Sequence, residues 1–462
     1  MSQDLLQKGM EILNILGKEH GESVIVGGAV RDMFIQGSRE AVFDDIDIAT
    51  NVDMDKIEKL FPTHDIGKNK EFGVIVVEYG GYNFEIAQFR TDGEYSDGRR
   101  PDSIETGVNF KCDTQRRDFT INAMGMRKDR SIADYHGGYK DIQNKIIKTV
   151  GDPELRFSED YLRMLRAVRF ACRLDFTLEN DTFDAISKHA NKIYDISAER
   201  IFKELWKMAE QTGSKFADAI IMLKTTGLLY HILPEVAILE DMPHNPEMHP
   251  EGVNVFEHTM SALRVNNEPD PILNLALLLH DIGKTRTHEI VDGKHRYIGH
   301  EFEGADMVNE IADRLKFDNK LRDTLVYTTT HHMKMHVIKS MRKSKIVRLA
   351  NDPNWEMLKK VSYCDDFCRG EELFDQADWN NKMGYANWAI QKYGESSHAF
   401  TNPFKNIVNG DVIMEVRDIQ RPCKEIGIVL TKTVNWIIDN DISLDDHKTI
   451  KEFIKEYEVK NG

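Results

Sequence analysis

The sequence predicts a multidomain chain with an α/β head, a sheet with helices against it, followed by mostly α-helical neck, body and tail regions. Three observations carry that prediction. Short β-branched runs such as Ser23-Val24-Ile25-Val26 and Asn83-Phe84-Glu85-Ile86-Ala87-Gln88-Phe89 fall in the first part of the chain. Helical patterning dominates later, as in the stretch from Gly427 to Ile438. A length of 462 residues suits about three domains by the usual domain size. The regions divide at 1–150, 151–240, 241–372 and 373–462.

The head begins with an amphipathic helix after Met1 and then the strand Ser23–Val26. Gly27-Gly28 follows, before the helix-compatible stretch Ala29-Val30-Arg31-Asp32-Met33-Phe34, a turn that brings backbone N–H groups close to phosphate. In Asp44-Asp45-Ile46-Asp47-Ile48-Ala49-Thr50 strand alternation puts Asp45 and Asp47 on one face and Ile46 and Ile48 on the other. Paired carboxylates repel without a cation, and hard oxygen ligands beside phosphates suit Mg²⁺. Glu85 is a candidate third carboxylate on a neighbouring strand. The polar, glycine-rich stretch Arg90–Pro101 reads as an exposed loop.

Four further blocks follow in order: Arg116-Arg117-Asp118-Phe119-Thr120-Ile121-Asn122-Ala123-Met124, Asp134-Tyr135-His136-Gly137-Gly138-Tyr139-Lys140-Asp141, Arg156–Phe170, and Ser197–Leu205. Arg117 and Asp118 offer a cation and an acceptor for ribose hydroxyls or phosphate. Gly137-Gly138 reads as a tight turn or hinge. In a helix beginning near Ser158, Asp160 and Arg163 stand three apart on one face. A carboxylate that accepts and a guanidinium that donates match an edge carrying an amino group beside a ring nitrogen, which cytosine and adenine share and uracil and guanine lack. Arg163, Arg166, Arg169 and Arg173 make a basic stripe suited to RNA phosphates. Ser197 reads as a helix N-cap.

With the opening turn and carboxylates, this series resembles the class II tRNA nucleotidyltransferase family, the CCA-adding enzymes and bacterial poly(A) polymerases, closely in the first half and loosely to the end. The resemblance implies a nucleotidyltransferase head with a polymerase-β-like sheet, in which Asp45, Asp47 and Glu85 are catalytic and Asp45 and Asp47 hold Mg²⁺. It implies nucleotide contacts from Gly27, Gly28 and Arg31, sugar recognition by Arg117, Asp118 and Asn122, and base selection by Glu159, Asp160 and Arg163, with Arg166 and Arg169 beside them. It further implies that the polar loop serves the change from C to A addition, and that the tail, around Ile407–Met414 and Ile426–Leu430, grips the elbow of tRNA. Arg421-Pro422-Cys423-Lys424 departs from the proline-glycine turn usual there.

The proline- and histidine-containing stretch Asp241–Pro250 reads as a linker or lid. After it come Glu257-His258, His280-Asp281, His300, His331-His332 and Asp365-Asp366, an order that resembles the HD metal-dependent phosphohydrolase superfamily. Pro271–Leu279 reads as a buried helix delivering His280 and Asp281 at its end. With His258 and Asp365 these close one N/O shell, and His300 with His332 or His331 supplies a second. Imidazole plus carboxylate accepts Ni, Mn, Co or Zn, or Mg²⁺, and the bound ion would generate hydroxide to attack a phosphoester.

A formal charge of −16 argues against avid, sequence-blind RNA binding, though a local basic face is compatible with it. Five cysteines without zinc-finger spacing suggest reduced thiols in a cytoplasmic protein. No apolar stretch reaches membrane-spanning length. The expected function is template-independent addition of C and A to the 3′ end of tRNA from CTP and ATP, with an HD phosphohydrolase activity beside it. The rivals are a poly(A) polymerase, an enzyme adding only A or only CC, and an HD phosphohydrolase with an inactive head. The segment Ile66–Val74 looks more like the CCA-adding version.

Overall fold

The computed structural model describes residues 2–37, 42, 45–64, 73–93, 103–245, 247–370, 372–393, 404 and 407–459. Asp44, residues 66–72, residues 94–101 of the polar loop and Pro246 lie outside them. The chain forms two compact units, one of residues 1–237 with 267–271 and 313–317, the other of 238–266, 272–312 and 318–462. Among the described residues no helix is long and apolar enough to cross a membrane.

Among the described residues the first unit carries seven strands in one sheet: β1 (Ser23–Val26), β2 (Asp47–Thr50), β3 (Thr63–His64), β4 (Val74–Tyr79), β5 (Tyr82–Gln88), β6 (Gly125–Arg127) and β7 (Ile132–Ala133). Their order is β3-β4-β5-β2-β1-β6-β7. β2 and β5 are parallel while β1 pairs antiparallel with both its neighbours, so the sheet is mixed. Alternation divides its side chains. Val24, Val26 and Ala49 join Phe89, Phe110 and Ala133 in one core. Ile25, Ile46 and Phe84 instead meet helix α1 (Ser2–Leu16) at Gly9, where an added Cβ would lie 3.3 to 3.5 Å from all three.

Beyond the sheet come α2 (Gly28–Gln36), α3 (Pro153–Glu159), α4 (Leu162–Leu174) and α5 (Ala198–Ala209), with α4 packed on α5. The single helix expected from Ser158 onward is instead broken. Asp160 ends α3 in an extended conformation (φ −155°, ψ 101°), and its Oδ1 accepts the Leu162 N–H at 3.1 Å at the start of α4. A carboxylate that satisfies an orphan N–H at a helix start favours the break. Ser197 holds the N-cap position of α5 as expected, but without a side-chain capping bond.

The second unit contains α6 (Val255–Val265), α7 (Pro271–Leu279), α8 (His300–Leu315), α9 (Asn319–His331) and α10 (Trp355–Phe367). α7 is buried along nearly its whole length, as its unbroken apolar run requires. The tail adds helices at Gln376–Tyr393, Gly410–Arg417, Lys424–Asp439 and His447–Glu456, whose Trp379, Ile413, Val429, Ile437 and Ile454 share one core with Ile346 and Leu358. The stretch 241–250 is not a free linker. His244 is buried, its backbone N–H bonds to the Val253 carbonyl, and Pro243 bridges Asn254.

Candidate active sites

In the first unit a cleft of about 810 Å³ opens where the Gly27–Gly28 turn, the start of β2 and one face of α4 converge. Gly27 turns the chain from β1 into α2 with φ +73°, and an added Cβ would sit 3.4 Å from Asp47 Oδ2. Only glycine suits that backbone without strain. Asp45 is exposed, Asp47 half-buried, and the parallel register sets Glu85 of β5 directly beside Asp47. Burial, then the charges of Asp45 and Glu85, push the Asp47 carboxyl up to about 6. Carboxylates held against their own repulsion in this way fit a divalent cation.

The remaining walls are made of arginines already matched to carboxylates. Arg31, only 3% exposed, donates to Asp32 at 2.8 Å and to Asn122 Oδ1 at 2.9 Å. Arg117 donates to Asp113 at 3.0 Å. Asp118 Oδ2 takes Arg166 at 2.6 Å while Oδ1 takes the Phe119 N–H at 2.8 Å. Burial opposes ionisation of Asp118, but the Arg166 charge and hydrogen bond, with Arg163 behind, hold its carboxyl down at about 2. Asp160 and Arg163 do not pair with each other. Asp160 takes Arg200 at 2.7 Å, whereas Arg163 bonds Glu159 and, at 3.1 Å, the Arg116 carbonyl.

The structure therefore gathers Gly27, Gly28, Arg31, Asp45, Asp47, Arg117, Asp118, Asn122, Asp160, Arg163, Arg166 and Arg169 around one cleft, with Glu85 and Glu159 behind it. Three arginines of the basic stripe expected along α4 are already paired with carboxylates. Arg163 and Arg166 are paired as above, and Arg169 is a buried structural cation bonded to Glu204 at 2.6 Å. Sequence reading missed Glu204, Arg116, Arg200 and Phe170, the ring over which the guanidiniums of Arg31, Arg166 and Arg169 lie at 5.2, 5.4 and 4.3 Å. Each stands in one of the ordered blocks, which is the signal available for it: Arg116 before Arg117, Phe170 at the end of Arg156–Phe170, and Arg200 and Glu204 in Ser197–Leu205.

In the second unit six expected ligands meet. Asp281 sits at their centre, with Oδ2 3.3 Å from His280 Nε2 and 3.6 Å from His258 Nε2, and Oδ1 3.3 Å from His300 Nε2 and 3.7 Å from His332 Nε2. Asp365 Oδ1 completes the first group, 3.0 Å from His258 Nε2. The donors thus fall into His258, His280 and Asp365 on one side and Asp281, His300 and His332 on the other. His331 is not among them, being bonded by Lys334 at 3.0 Å and set against Tyr327.

These donors fit resident cations. His280, His300 and His332 each donate Nδ1–H to a carbonyl three residues back, those of Leu277, Tyr297 and Thr329, each at 2.7 Å. That tautomer leaves every Nε2 as a lone pair. The Nε2 atoms of His300 and His332 face each other at 3.2 Å, and buried His280 Nε2 has no hydrogen-bond partner, contacts that a shared cation makes favourable. Burial opposes the charge on Asp281, yet the Lys284 ammonium 2.6 Å away holds its carboxyl well below the ordinary range. A second cleft, lined by Lys284, His249, Arg296 and His336, gives onto this cluster.

Three family models match the chain in series: the poly A polymerase head domain over residues 23–148, the probable RNA and SrmB-binding site of polymerase A over 175–239, and the HD domain over 253–379. A CCA-adding enzyme of Bacillus subtilis strain 168 is 43% identical over 211 residues, 46% of this chain and 52% of that one. The match thus spans about half the length of the curated relatives. Among solved structures, the Bacillus stearothermophilus CCA-adding enzyme in complex with CTP aligns over 96% of both chains at TM-score 0.70 and 23% identity. The Thermotoga maritima CCA-adding enzyme complexed with tRNA aligns over 96% of this chain and 93% of that one at TM-score 0.57 and 19% identity, a likeness of fold. The chain thus carries in order the poly A polymerase head, the RNA-binding and the HD domains, and over about half its length it is similar to CCA-adding enzymes.

Proposed function

We propose that this protein adds C and A, without a nucleic-acid template, to the 3′ end of tRNA from CTP and ATP in the cytoplasm. One observation carries the reading: a single cleft combines Asp45 and Asp47, the Gly27–Gly28 turn at a helix start, and Asp160 and Arg163 on its wall. Residues 1–150 act as the nucleotidyltransferase head, 151–240 as the base-selecting neck and body, 241–372 as the HD region and 373–462 as the part that contacts tRNA.

In this reading the RNA 3′-hydroxyl attacks the nucleotide α-phosphate and pyrophosphate leaves. Mg²⁺, when bound by Asp45 and Asp47 with Glu85 beside them, supplies the charge that lowers the barrier. The turn and the α2 N-terminus receive the triphosphate through backbone N–H groups. Arg117, Asp118 and Asn122 receive the ribose. Asp160, fixed by Arg200, accepts the amino group of cytosine or adenine, while Arg163, fixed by Glu159, donates to the ring nitrogen. The purified chain, given tRNA lacking its 3′ end and each labelled nucleotide, is expected to add C and then A. Long A tails, A alone or CC alone would select a rival, and no incorporation would overturn the reading.

A second activity is favoured by the two donor groups around Asp281. They suit a pair of ions among Ni, Mn, Co, Zn and Mg²⁺ that activates water against a phosphoester. Metal-dependent cleavage of bis(p-nitrophenyl) phosphate that disappears in Asp281→Ala is the test.

A further inference from the structure

The four histidines of the HD cluster are not aimed alike. His280, His300 and His332 stand at helix ends and each uses the carbonyl three residues back to fix its ring. His258 lies inside α6, where carbonyls are taken by the helix, that of Val255 also accepting from Thr259 at 2.8 Å. Its Nδ1 turns instead to a side chain seven residues back, reaching Glu251 Oε1 at 2.6 Å. The same oxygen accepts from His249 Nδ1 at 2.9 Å, and the Cys368 sulfur lies 3.5 Å from His258 Nδ1. Glu251 is 6% exposed at its side chain, and its Oε2 is buried without a hydrogen-bond partner.

We infer that Glu251 is the positioning residue of one ion site: it fixes the ring and tautomer of His258 so that Nε2 faces the ion shared with His280 and Asp365, while leaving the site of Asp281, His300 and His332 alone. The inference rests on the HD reading above. A carboxylate behind a ligating imidazole orients it and strengthens it as a donor more than a neutral carbonyl does, and loss of such a partner typically weakens metal binding about 10- to 100-fold. The two ions are therefore held unequally, and the difference is written in a residue outside the ligand set. Glu251 sits in His249-Pro250-Glu251-Gly252, and Gly252 is required there because a Cβ would fall 2.5 Å from that of Glu257.

The test is Co²⁺ titration, followed by calorimetry and visible absorption, of the full chain carrying Asp45→Ala and Asp47→Ala so that the head does not compete. Glu251→Gln, nearly isosteric, is expected to weaken one of two binding steps about 10- to 100-fold and leave the other, with the metal-free unfolding midpoint unchanged. Glu251→Asp, too short to reach both histidines, is expected to fall between. Unchanged affinity at both steps, or equal weakening of both with a lower metal-free midpoint, would overturn the inference. A parent protein that binds no Co²⁺ would sink the HD reading itself and this inference with it.

Discussion

The head cleft and the HD cluster solve opposite problems with similar residues. In the head, charges are held by other side chains: Arg166 by Asp118, Arg200 by Asp160, Arg163 by Glu159. Such pairs satisfy one another and, in the proposed reaction, can be exchanged for a nucleotide's own donors, acceptors and phosphates. In the HD cluster three of four rings are held by backbone carbonyls, which turn their Nε2 atoms toward Asp281 and toward one another. The cleft proposed for a nucleotide thus keeps its arginines paired with carboxylates, whereas the cluster proposed for ions gathers its imidazoles and carboxylates around one another.

The largest expected effect tests whether the two sites are independent. Asp47→Ala should cut nucleotide incorporation by about 10³-fold, the scale of losing a group that stabilises developing charge. The HD ion count, read by elemental analysis, should stay the same, and a fall in it would break the comparison. Next is the pair beside that cleft that is not exchangeable. Glu204→Ala strands Arg169, whose side chain is 7% exposed, and should cost about 3–5 kcal/mol of stability in urea unfolding. A change under about 1 kcal/mol would place Arg169 among the exchangeable pairs.

A smaller effect concerns specificity. Asp160→Asn should reduce preference for CTP and ATP over UTP and GTP by about 10- to 100-fold, the value of a charged hydrogen bond, measured as relative kcat/KM; unaltered ratios would move base selection elsewhere. The smallest is a pH effect. Asp118 is held at about 2 from an ordinary 3.8, so its stabilisation is fully present above about pH 4 and is lost as pH falls through about 2. It amounts to about 2 kcal/mol, and the stability gap between wild type and Asp118→Asn should shrink over that window and stay flat from pH 5 to 7.

Legibility of each site followed how local its determinants are. Asp45 and Asp47 could be read from strand alternation, and α7 with His280 and Asp281 from one apolar run. The break at Asp160 could not, because Glu159-Asp160-Tyr161 carries no helix breaker and the carboxylate's partner Arg200 lies forty residues on. The density of proline in 241–250 suggests a linker, yet packing buries His244 and brings Glu251 onto both His249 and His258. His331 and His332 were equivalent on paper. The end of α9 separates them, because only His332 has its Nδ1 on the Thr329 carbonyl and its Nε2 among the ligands.

By itself the sequence determined the chemistry on offer: a glycine turn before a carboxylate strand, an ordered set of head motifs, and an ordered set of histidines and aspartates. Residue type and short-range period are sufficient for that, since strand and helix geometry place neighbours a few residues apart. Only the tertiary structure decided which charges face which. The parallel register that sets Glu85 beside Asp47, the arginines already paired with carboxylates around Phe170, and the reach of Glu251 to His258 all depend on contacts between distant segments. The opening pair of aspartates thus becomes, in the fold, a trio in which burial, and then the charges of Asp45 and Glu85, raise the Asp47 carboxyl.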